Sequence, residues 1–274
     1  MFYLGSGEHA GAIHLRARIP GQDRVASGTV VVGEQTFRYG LAIDGNSSGK
    51  NSEFGSIIGR YHLVREINRL LTDGTPLQEI PQYLFDSLED ELRRLLPPHA
   101  KKREVVDFIL NYLIFTVVGF IQGPEETIVF YVGDGIVEIN GTELVGAANQ
   151  ASQKGAPDGI GYRLMDRLDA QYWVNQAGLR GSDYRPINHF NVIVRPTSEV
   201  RTLAIGSDSW LQEREYENRL LSQLVVGVDF SNPDYVQERI NMWAGAPHRT
   251  PRSQIYFEDD VSAVILVRKE TMNE

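Results

Sequence analysis

The chain has 274 residues, 42% hydrophobic and 23% charged, with 26 glycines and 12 prolines. These proportions exclude a disordered, collagen-like or coiled-coil polypeptide and are enough for one large buried core. A net charge of −9 disfavours general binding to nucleic acid, and the absence of cysteine excludes disulfides, thiolate metal sites and a cysteine nucleophile.

Met1–Ala10 has neither a basic head nor an apolar centre, so no signal peptide is expected. Residues 28–44 read as a hairpin, in which Thr29–Val32 leads through a Gly33-containing turn into Thr36–Ile43. A polar turn, Asp44–Gly49, precedes a helix whose apolar stripe is Ile57, Tyr61, Val64, Ile67 and Leu71, with Arg60, Arg65 and Arg69 off it. A second helix carries Leu84, Leu88, Leu92 and Leu95 and stops at Pro97-Pro98, because proline cannot continue a helix. Val105, Phe108, Ile109 and Tyr112 mark a third. Strands follow at Phe115–Ile121 and Thr127–Val132, on either side of Gly123-Pro124. A hairpin joins Ile136–Ile139 to Thr142–Val145 through Asn140-Gly141, the pair that best tolerates the positive φ angles of a type I′ turn. Further strands are expected at His189–Val194 and Arg201–Ile205, helices over about 215–226 and 232–244, and a last strand at Val261–Val267.

Residues 146–186 are rich in Gly, Ala, Gln and Asp, with a short helix near Tyr162–Leu168 as the one periodic feature. So long a stretch inside a compact domain reads as a functional flap or insertion. The longest apolar run, Leu113–Ile121, is less than half of the roughly 20 residues a membrane helix needs, so a cytoplasmic protein with no membrane partner is expected. Consecutive strands with hairpin turns favour antiparallel sheets with segregated helices over alternating βαβ units. A single domain, 1–274, is the expectation.

Gly45–Asn51 has a glycine-rich look, but a phosphate-binding loop needs four residues between its glycines and Ser or Thr after the lysine; three and Asn51 stand here. His9, His14, His62, His99, His189 and His248 show no metal-ligand spacing. The aspartates are more telling. Asp44, Asp134 and Asp208 each follow an apolar strand, and Asp259-Asp260 opens the last one. Any one alone reads as a turn residue; four at strand ends could converge on one end of a sheet structure. Hard oxygen donors without Cys or patterned His suit Mg²⁺ or Mn²⁺.

These segments, in order, resemble the metal-dependent Ser/Thr protein phosphatases of the type 2C (PPM) family, bacterial members in particular. Tyr39–Gly45 (YGLAIDG) resembles the family's apolar strand ending in DG, and Ser48–Gly55 (SGKNSEFG) the bacterial entry into the first helix. Val132–Gly135 (VGDG), Leu203–Asp208 (LAIGSD) and Asp259–Ser262 (DDVS) resemble the three later motifs, and His14–Asp23 (HLRARIPGQD) the N-terminal one. The resemblance implies an α+β fold, a four-layer α-β-β-α sandwich of two antiparallel sheets flanked by helices. It implies two Mg²⁺ or Mn²⁺ ions and an accessory third. Asp44 would bridge two ions, the Gly45 carbonyl would ligate one, and Asp208 and Asp259 would complete the other. Asp23 would act through a water and Asp134 would serve the third ion. Asp44, Asp208 and Asp259 would thus be catalytic, through a metal-activated water that attacks phosphoserine or phosphothreonine in a protein substrate. Arg18 is a candidate phosphate contact or, alternatively, a solvated strand arginine. Three positions depart from the family pattern: Asn46 in place of a histidine, Ser209 in place of a glycine, and Gln22 in place of an acid. Those at Asn46 and Ser209 keep open the alternative of a catalytically silent module that binds a phosphorylated partner. A phosphatase for small phosphate esters is a further alternative that the sequence does not separate from the protein phosphatase.

Overall fold

The computed structural model describes residues 1–46, 49–145, 159–165, 188–212, 220–244, 257 and 259–269. Among the described residues, ten strands form two five-stranded antiparallel sheets. The first has the order β1 (Phe2–His9), β10 (Val261–Arg268), β9 (Thr202–Gly206), β6 (Ile136–Ile139) and β7 (Thr142–Val145). The second has the order β2 (Arg24–Val32), β3 (Gln35–Gly45), β4 (Phe115–Gln122), β5 (Glu126–Val132) and β8 (Asn191–Pro196). The helices are α1 (Ala12–Ala17), α2 (Glu53–Thr72), α3 (Ile80–Arg94), α4 (Lys102–Tyr112), α5 (Tyr162–Met165), α6 (Ser209–Gln212), α7 (Leu220–Val225) and α8 (Tyr235–Ala244).

Strand side chains alternate between faces, and the alternation divides the core into three layers. In the second sheet Tyr39, Leu41, Ile43, Phe115, Val117, Ile121, Phe130 and Val132 pack against α2, α3 and α4. Their strand neighbours Ala42, Val118, Phe120 and Val129 turn the other way, onto Val137, Leu203, Ile205, Val264 and Leu266 of the first sheet. The opposite face of that sheet, Ala204, Val261, Ala263, Ile265 and Val267, packs on α7 and α8. Two sheets with helices outside each is the four-layer arrangement. It explains why β4 is buried along its whole length: a strand covered on both faces favours apolar residues at nearly every position, so its sequence reads almost as one run, broken by Thr116 and closed by Gln122. Burying each of the largest side chains, Phe115, Phe120 and Phe130, contributes about 1.5–3 kcal/mol.

The second and third helices and the Asn140-Gly141 hairpin form as expected, with φ angles of 53° and 73° at the turn. The first helix differs. Tyr61 stands in solvent, 65% exposed, and Gly55, Ser56 and Gly59 join Leu63, Ile67, Leu70 and Leu71 on the buried face. Small residues bring α2 close to Phe115, and an apolar-stripe reading does not see a face made of glycine. His62 is buried in that helix, within 3.0 Å of Ser87 Oγ.

Strand β1, the first half of β2 and helix α1 have no forerunner in the pattern reading. Arg18 is not a strand residue. It caps α1 in the left-handed conformation, φ 57°, and is exposed. Within the stretch expected as a flap, Gly159–Met165 is anchored: Ile160 N–H donates to the Phe115 carbonyl (2.9 Å), and Ile160, Tyr162, Leu164 and Met165 are buried in the helix-side core. The remainder of that flap, 146–158 and 166–186, lies outside the described residues, as do 215–219 of the expected helix over 215–226.

Candidate metal centre

Register brings the aspartate-bearing strand ends together. Arg24, the first residue of β2, pairs with Ile43 near the end of β3, and Asp44 pairs with Thr116 at the start of β4. Val132, the end of β5, pairs with Val117. In the other sheet Gly206, ending β9, pairs with Ala263 near the start of β10. Asp23, Asp44, Asp134, Asp208 and Asp259 therefore all lie at one pole of the sandwich. Gly133 matters locally. Its φ is +99°, and a Cβ there would lie 2.3 Å from the Thr116 side chain. Only glycine lets the chain pass so close over β4 and turn Asp134 toward Asp44.

Asp44, Asp134 and Asp208, each half-buried, offer carboxylate oxygens that all lie within 4.8 Å of one another. Asp23 is buried and hydrogen-bonds the Asp44 carboxyl. Its Oδ2 has no hydrogen-bond partner among the described residues. Burial and mutual repulsion raise the pKa of the acids gathered here. Burial pushes Asp23 up to about 8, with the Asp260 charge adding to the effect. Burial, then the charges of Asp23 and Asp208, holds Asp44 well above the ordinary carboxylate range. Asp208 is pushed up to about 6 by burial and by Asp134, and burial raises Asp134 as well.

An orphaned buried oxygen beside three converging carboxylates is a donor set that lacks a positive charge, and it fits a hard divalent cation. Gly45 ends β3 next to Asp44, and a Cβ there would meet Gln22 and Ser52 at 3.0–3.1 Å.

Asp259 stands in a second group. His14 Nδ1, Asp259 Oδ1 and Asp260 Oδ1 lie together, His14 being 2.8 Å from Asp260 and 4.0 Å from Asp259. Asp260 is buried and already engaged: Oδ1 accepts from Gly11 N–H (2.6 Å) and His14, and Oδ2 accepts from Gln22 N–H. Both oxygens being taken, Asp260 is a hydrogen-bonding group here rather than a ligand. Asp259 is a third exposed, its Oδ1 accepting from Asp260 N–H at 2.9 Å, and its charge acts on Asp208. Of the sequence candidates, Asp44, Asp134 and Asp208 are thus brought together with Asp23 beside them, Asp259 lies at the margin, and Arg18 is on the surface of α1. Sequence reasoning gave no role to His14 and Asp260. Their pairing spans 246 positions, so no local spacing could disclose it.

The family model for protein phosphatase 2C matches residues 10–161, more than half of the chain. No curated protein matches by sequence. Among solved structures, the serine/threonine phosphatase Stp1 from Staphylococcus aureus is similar with 11% identity and a TM-score of 0.52, over 98% of this chain and 96% of its own. The S. agalactiae serine/threonine phosphatase aligns with 12% identity and a TM-score of 0.58, over 98% of this chain and 100% of its own. The catalytic domain of the serine/threonine phosphatase PstP, solved in complex with two manganese ions, aligns with 11% identity and a TM-score of 0.55, over 97% and 99%. At such identities the structures speak for the fold. The family match speaks for descent, and on it the chain belongs to the protein phosphatase 2C family.

Proposed function

We propose that this chain hydrolyses phosphoserine and phosphothreonine in proteins, with two Mg²⁺ or Mn²⁺ ions held at the pole of the sandwich and a third in an accessory position. The observation that carries the reading is the convergence of Asp44, Asp134 and Asp208 within 4.8 Å, beside a buried Asp23 with one orphaned oxygen. Asp44, the Gly45 carbonyl, Asp208 and Asp259 would hold the two ions, Asp23 would act through a water, and Asp134 would hold the accessory ion. When bound, such ions acidify water and neutralise phosphoryl oxygens, the two barriers to hydrolysis of a phosphate monoester.

The chain's own part is to orient and to hold charge. The strand ends fix the carboxylates before substrate arrives, so little reorganisation is needed during reaction. Asp23, protonated to about pH 8 without cations, becomes a carboxylate when positive charge arrives and can then accept a hydrogen bond from water. Asn46, in the position of a histidine, has its main chain tied by Ser52 Oγ and Gly49 N–H (both 2.8 Å) and cannot act as an acid. The leaving alkoxide therefore takes its proton from water. Arg18, exposed at the C-terminal cap of α1, is the candidate contact for the substrate phosphate.

Release of p-nitrophenol from its phosphate ester, with and without Mn²⁺, tests the activity, and a phosphothreonine peptide tests the substrate class. Mn²⁺-dependent turnover of both is expected. No turnover of either at saturating Mn²⁺ would leave a silent phosphate-binding module, and turnover of the ester alone would point to small substrates.

A further inference from the structure

Gly11, His14, Gln22 and Ser209 all bond to Asp260, and two of them, like Asp260 itself, adjoin a proposed ligand. Gln22, whose N–H donates to Oδ2, precedes Asp23. Ser209, whose buried Oγ donates to the Asp260 carbonyl at 2.5 Å, follows Asp208. Asp260 itself follows Asp259 and is bonded to it through its own N–H. Gly11 and Gln22 are the two ends of the segment that contains α1, so one carboxylate closes that segment against the start of β10. His14 supplies the remaining donor. Opposite an acceptor-only carboxylate the shared proton belongs to Nδ1, which fixes the ring's tautomer.

We propose that Asp260, held by His14, is a positioning hub that sets Asp23, Asp208 and Asp259 at the spacing cations require, without itself touching cation or substrate. The inference rests on the phosphatase reading of this pole. It also gives a purpose to the departure at Ser209: a glycine there has no hydroxyl to reach Asp260. The hub binds the loops that precede β2 and β10 and follow β9, alongside the backbone bonds from Ala12 N–H to the Phe257 carbonyl and from Ser207 N–H to the Ser262 carbonyl (both 3.1 Å). Partners of this kind, one shell removed from a metal, typically change affinity by about 10- to 100-fold when lost.

The test is Mn²⁺ binding by titration calorimetry on the full chain, with p-nitrophenyl phosphate kinetics and circular dichroism alongside. His14→Asn keeps a donor near the position of Nδ1, whereas His14→Gln moves it to the position of Nε2. His14→Gln should weaken Mn²⁺ binding by about 10- to 100-fold and raise the Mn²⁺ concentration for half-maximal activity in parallel. His14→Asn should restore binding to near wild type. Ser209→Ala should lose about 3- to 10-fold, the worth of one hydrogen bond, and carries the test should His14→Gln fail to fold. Wild-type protein that binds Mn²⁺, beside His14→Gln or Ser209→Ala variants that bind it equally well, would overturn the hub alone. Equal losses in His14→Gln and His14→Asn would also overturn it, since ring volume rather than the Nδ1 donor would then matter. Wild-type protein that binds no Mn²⁺ would overturn the functional reading and the hub with it.

Discussion

Asp208 illustrates how a single carboxyl is set between two uses. Burial and Asp134 push it up to about 6, so near neutral pH it is mostly charged, and it repels the acids around it until a cation arrives. Asp208→Asn removes that charge in nearly the same volume. Turnover should fall by at least about 100-fold, the loss expected when a metal site misses a ligand or its oriented neighbour. The metal-free variant should melt no lower than metal-free wild type, because it loses the repulsion from Asp134 and Asp259 while its amide oxygen can keep the hydrogen bond with Asp44. Steady-state kinetics with Mn²⁺ and calorimetry in chelator check the two halves. A variant that unfolds would show Asp208 to be a structural turn residue.

At the scale of the element, α2 is where pattern and packing part company. A Cβ on Gly59 would lie 2.8 Å from the ring of Phe115, which is wholly buried at the start of β4. Alanine raises intrinsic helix propensity by about 1 kcal/mol, yet here it must force the helix off the sheet. Gly59→Ala should therefore destabilise the protein by about 1–3 kcal/mol on balance, measured by urea unfolding. A gain in stability would mean that α2 has slack against Phe115. The same contrast governs what could be read in advance. Helices α3 and α4 were legible because their buried faces are built of Leu, Val, Ile and Phe at helical spacing. The hairpin at Asn140-Gly141 was legible because the turn demands that dipeptide. Strand β1 was not, since its inward positions include Gly5 and Gly7, against which α8 packs. The aspartates were legible as strand-end residues, and their shared pole follows from antiparallel register. Asp260's engagement by His14 was not, because it is made across the whole length of the chain.

For the whole molecule, the acidic pole ties stability to pH and to cations. Asp23 is pushed from 3.8 up to about 8 on folding, so the folded state holds its proton more tightly than the unfolded chain does. The stability this provides is complete below pH 3.8 and is lost as pH rises through 8. His62 works in the opposite sense below 6.5: burial lowers its pKa in the folded state, so its protonation favours the unfolded chain. Between pH 6.5 and 8 the Asp23 effect therefore acts with least opposition. Chelator-treated protein should melt at a lower temperature at pH 8 than at pH 6.5, and saturating Mn²⁺ should flatten the dependence by taking the place of the proton. Scanning calorimetry at the two pH values, with and without Mn²⁺, measures it. A flat profile in chelator would mean that the carboxyls at this pole are not crowded in solution.

The pairing of β1 with β10 has a mechanical consequence. Phe2 lies opposite Arg268, and the Lys269 N–H donates to the Met1 carbonyl at 2.9 Å, so both strands can be gripped from the same pole, the one opposite the aspartates. Tension applied between Met1 and Lys269 would load the hydrogen bonds of this pair one at a time, as in opening a zipper, rather than all together in shear. Rupture should travel from Phe2 toward His9 at modest force in an optical trap and reach Gly11 and the Asp260 carboxylate last. Bound Mn²⁺ would then register as a late pause in the extension trace, and a single high-force event at the outset would contradict this geometry.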